Sequence, residues 1–329
     1  MFFGVFWISA TFLFAEPIPY DPFLNAEPGK IIRVTPDYWK GKLHWPGEVL
    51  KVVILDVWQG DAIFVRTPDD YRVLIDGGQN SSPFSTFDAG YDVIIPYLKV
   101  IEKINSLDTV VMTHPHSDHV GGLVAILKHI KVKEVLDPGM DYPSGTYDKF
   151  LQLIEEHNIT YRIVKDGEVL RWGKKVRAFT FGPVRIYHGT NSDPNNNSIV
   201  IKLIYRRISF LFTGDCEEAS EIDMVAKYGE NLRSFFLKAP HHGSATSIVD
   251  EFLDAVAPKY AFISVGKHNK FGHPSPRTIE KYMKRGIEVY RTDLQGTIIV
   301  LTDGIHYSIE TKYTRWLRKY SMNPYRKKD

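Results

Sequence analysis

The rhythm of apolar and polar positions changes at Val49. Before it, residues 16–48 are rich in Pro and aromatics ("EPIPYDPFLNAEPG", "DYWKGKLHWPG") and read as an irregular lead-in. From Val49 onward, "VLKVVILDV", "AIFVRT" and "YRVLIDGG" are short β-branched runs broken by "WQGD" and "PDD", which predicts a three-stranded meander. "YDVIIPYLKVIEKIN" has helical periodicity with Pro96 in its first turns. "LDTVVMTH" reads as a buried strand, "VGGLVAILKHI" as a helix, "VKEVLDPG" as a strand and "TYDKFLQLIEEHN" as an amphipathic helix. Four short strands follow: "VRAFTF", "VRIYH", "SIVIKLIY" and "SFLFTGD". The final third alternates again. Helices are expected at "EEASEIDMVAKYG", "IVDEFLDAVA" and "PRTIEKYMKRG", strands at "SFFLKAPHH", "YAFISVG" and "IEVYRT", and a hairpin at "TIIVLTDGIHYSIET". Strands then helices thus occur twice, with no linker between the halves. That order predicts one α/β domain over residues 49–311, in which two sheets pack together and helices cover both outer faces.

The two ends stand apart from this pattern. Residues 1–15, "MFFGVFWISATFLFA", are apolar throughout. They fall short of the roughly 20 residues a spanning helix needs but suit the apolar core of a signal peptide ending near Ala15. Export is expected, with the segment cleaved or kept as an anchor. The missing Lys and Arg near Met1 and the bulky Leu13 leave a cytoplasmic protein with a buried N-terminal strand as the alternative. Residues 312–329 form a basic tail, read either as a contact for something anionic or as a solvated helix with a frayed end.

With 43% hydrophobic and 24% charged residues in a chain of 329, a large core can be buried and disorder is not indicated. A net charge of +2 gives no mandate for nucleic acid or membrane. Cys216 is the single cysteine, which excludes an intramolecular disulfide and a four-thiolate zinc site. Any metal must be held by His, Asp and Glu.

Those residue types cluster at strand ends. Asp76 closes "VLIDGG"; His114, His116, Asp118 and His119 follow "TVVMT"; His188 ends "VRIYHG"; Asp215 ends "FLFTGD"; His241 and His242 end "FFLKAPHHGS". Strand-terminal positions along one edge of a sheet can converge. An isolated His at a strand end is more often a satisfied polar cap than a ligand, but four such residues within six positions make that reading poor.

"HPHSDH" followed by "GG", with "LIDGG" upstream and "FTGD" and "PHHGS" downstream, resembles the metallo-β-lactamase superfamily. Within it, "DVWQGDA" (carrying Asp56, Gln59 and Asp61), "NNNSIVIKL", "LKAPHHGS", "SVGKHNKFGHPSP" and "RTDLQGT" resemble the hydrolase domain of ComEC-type competence DNA-uptake proteins, in family order over roughly residues 50–302. Two departures are visible. Trp58 stands where a glycine is usual, and His116 where those domains commonly carry an acidic residue. Import of DNA is not carried over, because the polytopic channel of those proteins is not part of the match.

The resemblance implies a four-layer αββα sandwich and a binuclear site for divalent ions, Zn²⁺ first, Mn²⁺ or Fe²⁺ as alternatives. His114 and His116 would bind one ion, and Asp118, His119 and one histidine of the "HH" pair the other. Asp215 would bridge both, and water held between the ions would ionise near neutral pH. Asp118 and Asp215 are thus the expected catalytic carboxylates, and Asp76 would support the histidine loop. Neighbours in a strand point to opposite sides, so only one of the pair is expected to ligate; His241 is chosen, leaving His242 to support the site or touch substrate. The third ligand of the first ion is expected from His188, with Asn197 or water as alternatives. Cys216 should point away as a small buried residue. Ser244, Lys267 and His273, with His268 and Asn269 beside them, could hold a phosphate; a plain polar surface loop is the alternative.

Three functions compete. A metal-dependent phosphodiesterase or nuclease, acting on DNA or another phosphodiester, is favoured. Phosphorylcholine esterases of cell-surface proteins resemble the same subgroup, so phosphodiester chemistry is better supported than DNA itself. A lactone-, thioester- or β-lactam-type carbonyl hydrolase is second, since fold does not fix substrate; missing "PGHT" and cysteine ligation count against it. A metal-stabilised binding module is third. No feature demands a protein partner, and the oligomeric state is left open.

Overall fold

The computed structural model describes residues 48–82 and 85–312; the lead-in up to residue 47, the expected signal segment and the tail from residue 313 lie outside the described residues. Fifteen strands occur among the described residues: β1 (Leu50–Ile54), β2 (Ile63–Arg66), β3 (Arg72–Ile75), β4 (Ser106–Val111), β5 (Lys131–Asp137), β6 (Thr160–Ile163), β7 (Val169–Leu170), β8 (Arg177–Gly182), β9 (Val200–Tyr205), β10 (Ile208–Phe212), β11 (Phe236–Lys238), β12 (Tyr260–Ile263), β13 (Glu288–Arg291), β14 (Thr297–Thr302) and β15 (Tyr307–Lys312). They form an eight-stranded sheet in the order β15-β14-β1-β2-β3-β4-β5-β6 and a seven-stranded sheet in the order β13-β12-β11-β10-β9-β8-β7.

Alternation along the strands builds three apolar layers. In β1, Val52 and Ile54 join Phe210, Phe236 and Phe262 between the two sheets. Val53 and Leu55 point the other way, against helices carrying Leu123, Ile126 and Phe150. On the far side Leu211, Leu237 and Ile263 pack under helices carrying Met224, Phe252 and Tyr282. The αββα sandwich follows directly: each strand between two apolar layers is apolar on both faces, as the unbroken runs "TVVM" and "SFLF" require.

Within the first sheet β3 to β6 run parallel, and within the second β10 to β13 do. Their C-terminal ends therefore collect along common edges, where loops can bring distant residues together. Glycines let the loops there close up. A Cβ on Gly60 would lie 2.0 Å from the Asp118 carbonyl oxygen, and one on Gly122 would lie 2.1 Å from that of Gly77. No side chain fits at either place.

Three expected elements differ. "VRIYH" is not a strand, because the backbone N–H and C=O of Tyr187 are both taken by the side chain of Asn197 (3.0 and 2.9 Å). The helix around Pro96 runs without a break but is wound wide on both sides of it, at Gly90–Ile94 and Tyr97–Ile101, the second segment closing with Glu102 N–H on the Tyr97 carbonyl. The strand at "SFFLKAPHH" stops at Lys238. Among the described residues no helix is long and apolar enough to cross a membrane.

Asp137 closes β5, fully buried, accepting from Gly139 N–H (2.6 Å) and the Tyr147 hydroxyl (3.1 Å). Burial pushes its carboxyl up to about 6, against bonds that favour the anion. An unfolded Asp ionises near pH 4. Between about pH 4 and pH 6 the unfolded chain therefore gives up a proton that the folded chain keeps, and stability falls as pH rises. The loss, at most about 3 kcal/mol, is complete above the folded value. Asp137→Asn keeps an acceptor for Gly139 and cannot ionise. Denaturant melts of the two proteins at pH 4 and pH 7.5 should show the variant gaining on the parent as pH rises.

Candidate metal centre

Each ligand-type side chain reaches the edge for a local reason. β4 ends at Val111, and the chain continues through Thr113 to His114, buried completely; a short helix, Ser117–Val120, then presents Asp118 and His119. β10 ends at Phe212, and the turn through Gly214 (φ +52) places Asp215 opposite. After β11 the chain turns at Pro240, and both His241 (φ +46) and His242 (φ +53) take left-handed backbone.

The resulting geometry is tight. His119 Nε2 lies 3.2 Å and His242 Nε2 3.3 Å from Asp215 Oδ2, and His242 Nε2 lies 3.3 Å from Asp118 Oδ2. His114 Nε2 stands 3.0 Å from His116 Nδ1 and 3.9 Å from Asp215 Oδ2. His114, His119 and Asp215 form one group able to hold an ion; Asp118, His119 and His242 form another.

The outward nitrogens decide which lone pairs point inward. His119 Nδ1 bonds Asp76 Oδ2 (2.8 Å), and His242 Nδ1 bonds the Ser264 carbonyl (2.9 Å). A carbonyl only accepts, so His242 keeps a proton on Nδ1, and Nε2 is the nitrogen that faces the cluster and can ligate once its own proton is displaced. Asp76 also accepts from Thr113 N–H (2.8 Å) and its hydroxyl (2.7 Å), binding the histidine loop to the end of β3. Buried His119 Nε2, His242 Nε2 and Asp215 Oδ1 have no hydrogen-bond partner. Three orphaned, converging atoms in a buried site are what divalent-ion coordination would satisfy, so the residues fit a metal.

Burial disfavours charge on His119, but Asp215 and Asp76 outweigh it and hold the imidazolium well above its ordinary value; for His242 burial is likewise outweighed by Asp215, Asp118 and Asp61. His114 goes the other way, lowered by burial and by His119. Burial opposes the Asp215 carboxylate, yet His119 and His242 keep it well below the usual range.

The structure sorts the expected residues. His114, His116, Asp118, His119 and Asp215 come together; Asp76 supports them. His242, not His241, enters the cluster, because the pair sits in a tight turn and not in a strand, so pleat alternation does not apply. His241 instead bonds Glu217 (2.8 Å). His188 is exposed on the loop beside Asp193 and reaches no ligand group. Asn197 is not free to ligate: its amide holds Tyr187 and the Asp193 carbonyl. Asp61 lies within the cluster's reach, Gln59 accepts from Gly266 N–H, and Asp56 caps the Trp58 turn and joins none of the ligand groups. His273 meets His241 edge-on (5.2 Å between centroids, planes at 79°), and burial followed by the two neighbouring histidines lowers it to about 4. Ser244 bonds Thr246 and Lys267 is exposed on its loop. Cys216 is buried under the helices of the second sheet.

Three residues were missed. Ser198 Oγ accepts from Asp215 N–H (3.1 Å) and lies 3.4 Å from His114 Nδ1. Lys238, wholly buried, pairs with Asp61 (2.5 Å). Glu217 orients His241. A lysine ending the apolar run "FFLK" was the available signal for Lys238; serine and glutamate beside a motif carry none.

Residues 55–268 match the family described as the metallo-beta-lactamase superfamily. The chain belongs to that superfamily. It is 33% identical over 257 residues to ComE operon protein 3 of Bacillus subtilis (strain 168), covering 75% of this chain and 32% of the relative. It is 31% identical over 253 residues to Competence protein ComA of Neisseria gonorrhoeae, covering 77% and 32%. Recombination protein 2 of Haemophilus influenzae is 26% identical over 273 residues, covering 81% and 31%. The chain thus spans about a third of the length of these relatives. Membership makes it a metal-dependent hydrolase of the superfamily, consistent with a ComEC-type hydrolase domain.

Two outcomes test the site. His242→Ala should lose metal on elemental analysis of the purified protein, whereas His241→Ala should retain the parent's metal content. Because His119 and His242 hold protons well above their ordinary values, metal must displace them. Titrating zinc into apo-protein at pH 7 should release protons, and affinity should rise with pH through the neutral range; a pH-independent affinity would contradict the assignment.

Proposed function

We propose that the chain is a binuclear metal-dependent phosphodiesterase, with nucleic acid or another phosphodiester as substrate. The observation that carries this reading is the convergence of His114, His116, Asp118, His119 and His242 around Asp215, whose second carboxylate oxygen has no protein partner. His114 and His116 would hold one ion, Asp118, His119 and His242 the other, and Asp215 both. Divalent ions there, Zn²⁺ foremost, would acidify water and neutralise charge on the phosphoryl oxygens.

The protein's own groups suit that chemistry. Asp76 and Ser264 keep the imidazoles of His119 and His242 aimed inward. Ser198 holds the backbone of Asp215 at the end of β10. His241, oriented by Glu217, and His273 lie beside His242 (ring centroids 6.1 and 6.4 Å away), where ring N–H groups can donate to phosphoryl oxygens. Such donors favour a substrate with several anionic oxygens over a neutral ester. The competence and recombination proteins that share a third of their length with this chain support a nucleic-acid substrate. Action outside the cytoplasm is the reading we attach to the apolar residues 1–15, tested by cell fractionation with N-terminal mapping.

Metal-replete protein should turn over bis-aryl phosphates and oligonucleotides well above lactones and thioesters; the opposite preference would sink the proposal. Asp215→Asn keeps the side chain's size and removes its charge, leaving two dications facing each other with less compensation, and repulsion is strong in a poorly solvated site. It should drop metal content below two ions per chain and abolish most turnover. Two retained ions with near-normal activity would overturn the bridging role.

A further inference from the structure

The rim of the metal centre carries an aromatic side chain that the fold does not need. Trp58 is 48% exposed and sits at φ +66, backbone that favours glycine and strains a bulky side chain. The ring stacks on Phe87 (centroids 5.2 Å apart, planes 16° apart) and still leaves about half of the residue exposed. The position belongs to the site: Asp61, three residues on, reaches the cluster, and its N–H bonds the Asp118 carbonyl (3.2 Å). Gly266 packs against the Trp58–Gln59 backbone so closely that a Cβ there would lie 3.0 Å from Gln59 N.

The loop beginning at Gly266 brings the complement. Lys267 and Lys270 are exposed, and Lys270 Nζ lies 5.2 Å from the ring centroid of Phe271. Phe271 is itself 55% exposed and stacks on His273 (5.7 Å), which faces the cluster. Trp58 and Phe87 from one part of the chain thus meet the loop carrying Lys267, Lys270 and Phe271 beside one metal centre. A quaternary ammonium would be repelled by the lysines and would find the exposed ring of Trp58 in place of a cage. A planar ring on an anionic chain matches both features.

We infer that Trp58 is a stacking platform for a base of a single-stranded nucleic acid whose phosphodiester is presented to the metal centre. Lys267 and Lys270 hold flanking phosphates, and Phe271 offers a second ring on the same rim. This rests on the phosphodiesterase reading, naming its substrate class.

The test compares labelled oligothymidylate with an abasic deoxyribose-phosphate oligomer of the same length, by fluorescence anisotropy and by turnover. Trp58→Gly is the informative variant, since glycine takes the same backbone without strain and a thermal melt will verify folding. The ratio of oligothymidylate to abasic affinity should fall about tenfold, in the range for losing one stacked base. Trp58→Phe should recover most of it. Lys267→Ala with Lys270→Ala should weaken both oligomers alike and flatten the salt dependence. An unchanged ratio in Trp58→Gly would overturn the platform, as would weakened competition by a phosphocholine ester with no effect on oligothymidylate. If the parent binds oligothymidylate through Trp58 but hydrolyses no phosphodiester, the catalytic reading fails and the platform stands; hydrolysis indifferent to Trp58 gives the reverse.

Discussion

The centre depends on Asp76. This one buried carboxylate closes β3, accepts both the N–H and the hydroxyl of Thr113 at the end of β4, and accepts from His119 Nδ1. Three constraints meet in it. It ties two neighbouring parallel strands at their C-terminal edge, fixes where the histidine loop departs, and sets which nitrogen of His119 is left for the cluster. Its backbone is left-handed (φ +59) and its N–H bonds the Val111 carbonyl, which fixes where the side chain departs, while the bonds to Thr113 and His119 fix where its carboxylate lies. Burial pushes its carboxyl upward, a penalty tolerated only because partners surround it.

A second buried charge works at longer range. Asp61 and Lys238 pair across the two sheets' edges, one from the loop after β1 and the other from the end of β11. Burial opposes the Asp61 carboxylate, but Lys238, with His242 and His119 after it, holds it ionised. Losing one member of such a pair typically costs about 3–5 kcal/mol, because the other charge is left bare. The pair also gives the cluster a negative group whose charge is already matched, leaving Asp215 and Asp118 as the carboxylates that face His119 and His242. Both sheets must therefore dock correctly before the ligand sphere has its proper charge.

How far the sequence could be read follows from which link each residue lives on. Alternating and continuous apolar runs reported most strands and the three apolar layers, since burial of side chains is what makes those patterns; the largely exposed β6 and the two-residue β7 carry no such run. His114, His116, Asp118, His119 and Asp215 were legible because strand ends collect ligands and six positions held four of them. His241 and His242 were not separable, because the answer lay in two left-handed residues after Pro240, which no apolar pattern encodes. His188 failed for a related reason: the supposed strand before it has its backbone groups claimed by Asn197, a side chain to backbone bond invisible to periodicity. Lys238, Ser198 and Glu217 act through partners 177, 17 and 24 positions away, distances at which a single sequence gives residue types but not neighbours.

Trp58 shows how a local misfit becomes informative only in three dimensions. In the sequence it is one unexpected residue in "DVWQGDA". In the structure the misfit has three parts: strained backbone, an exposed ring, and attachment through Gly60 to the loop that carries Asp118. Each part alone has an ordinary explanation, since single exposed aromatics and left-handed turn residues are common. Together they oppose stability twice at one position, once through strain and once through apolar exposure, and the stack on Phe87 returns only part of it. Strain held beside a reactive site, with the surrounding structure rigid enough to maintain it, is the arrangement expected where a side chain serves a ligand and not the fold. The same reasoning separates Trp58 from Trp172, which is buried between the sheets and needs no function beyond packing.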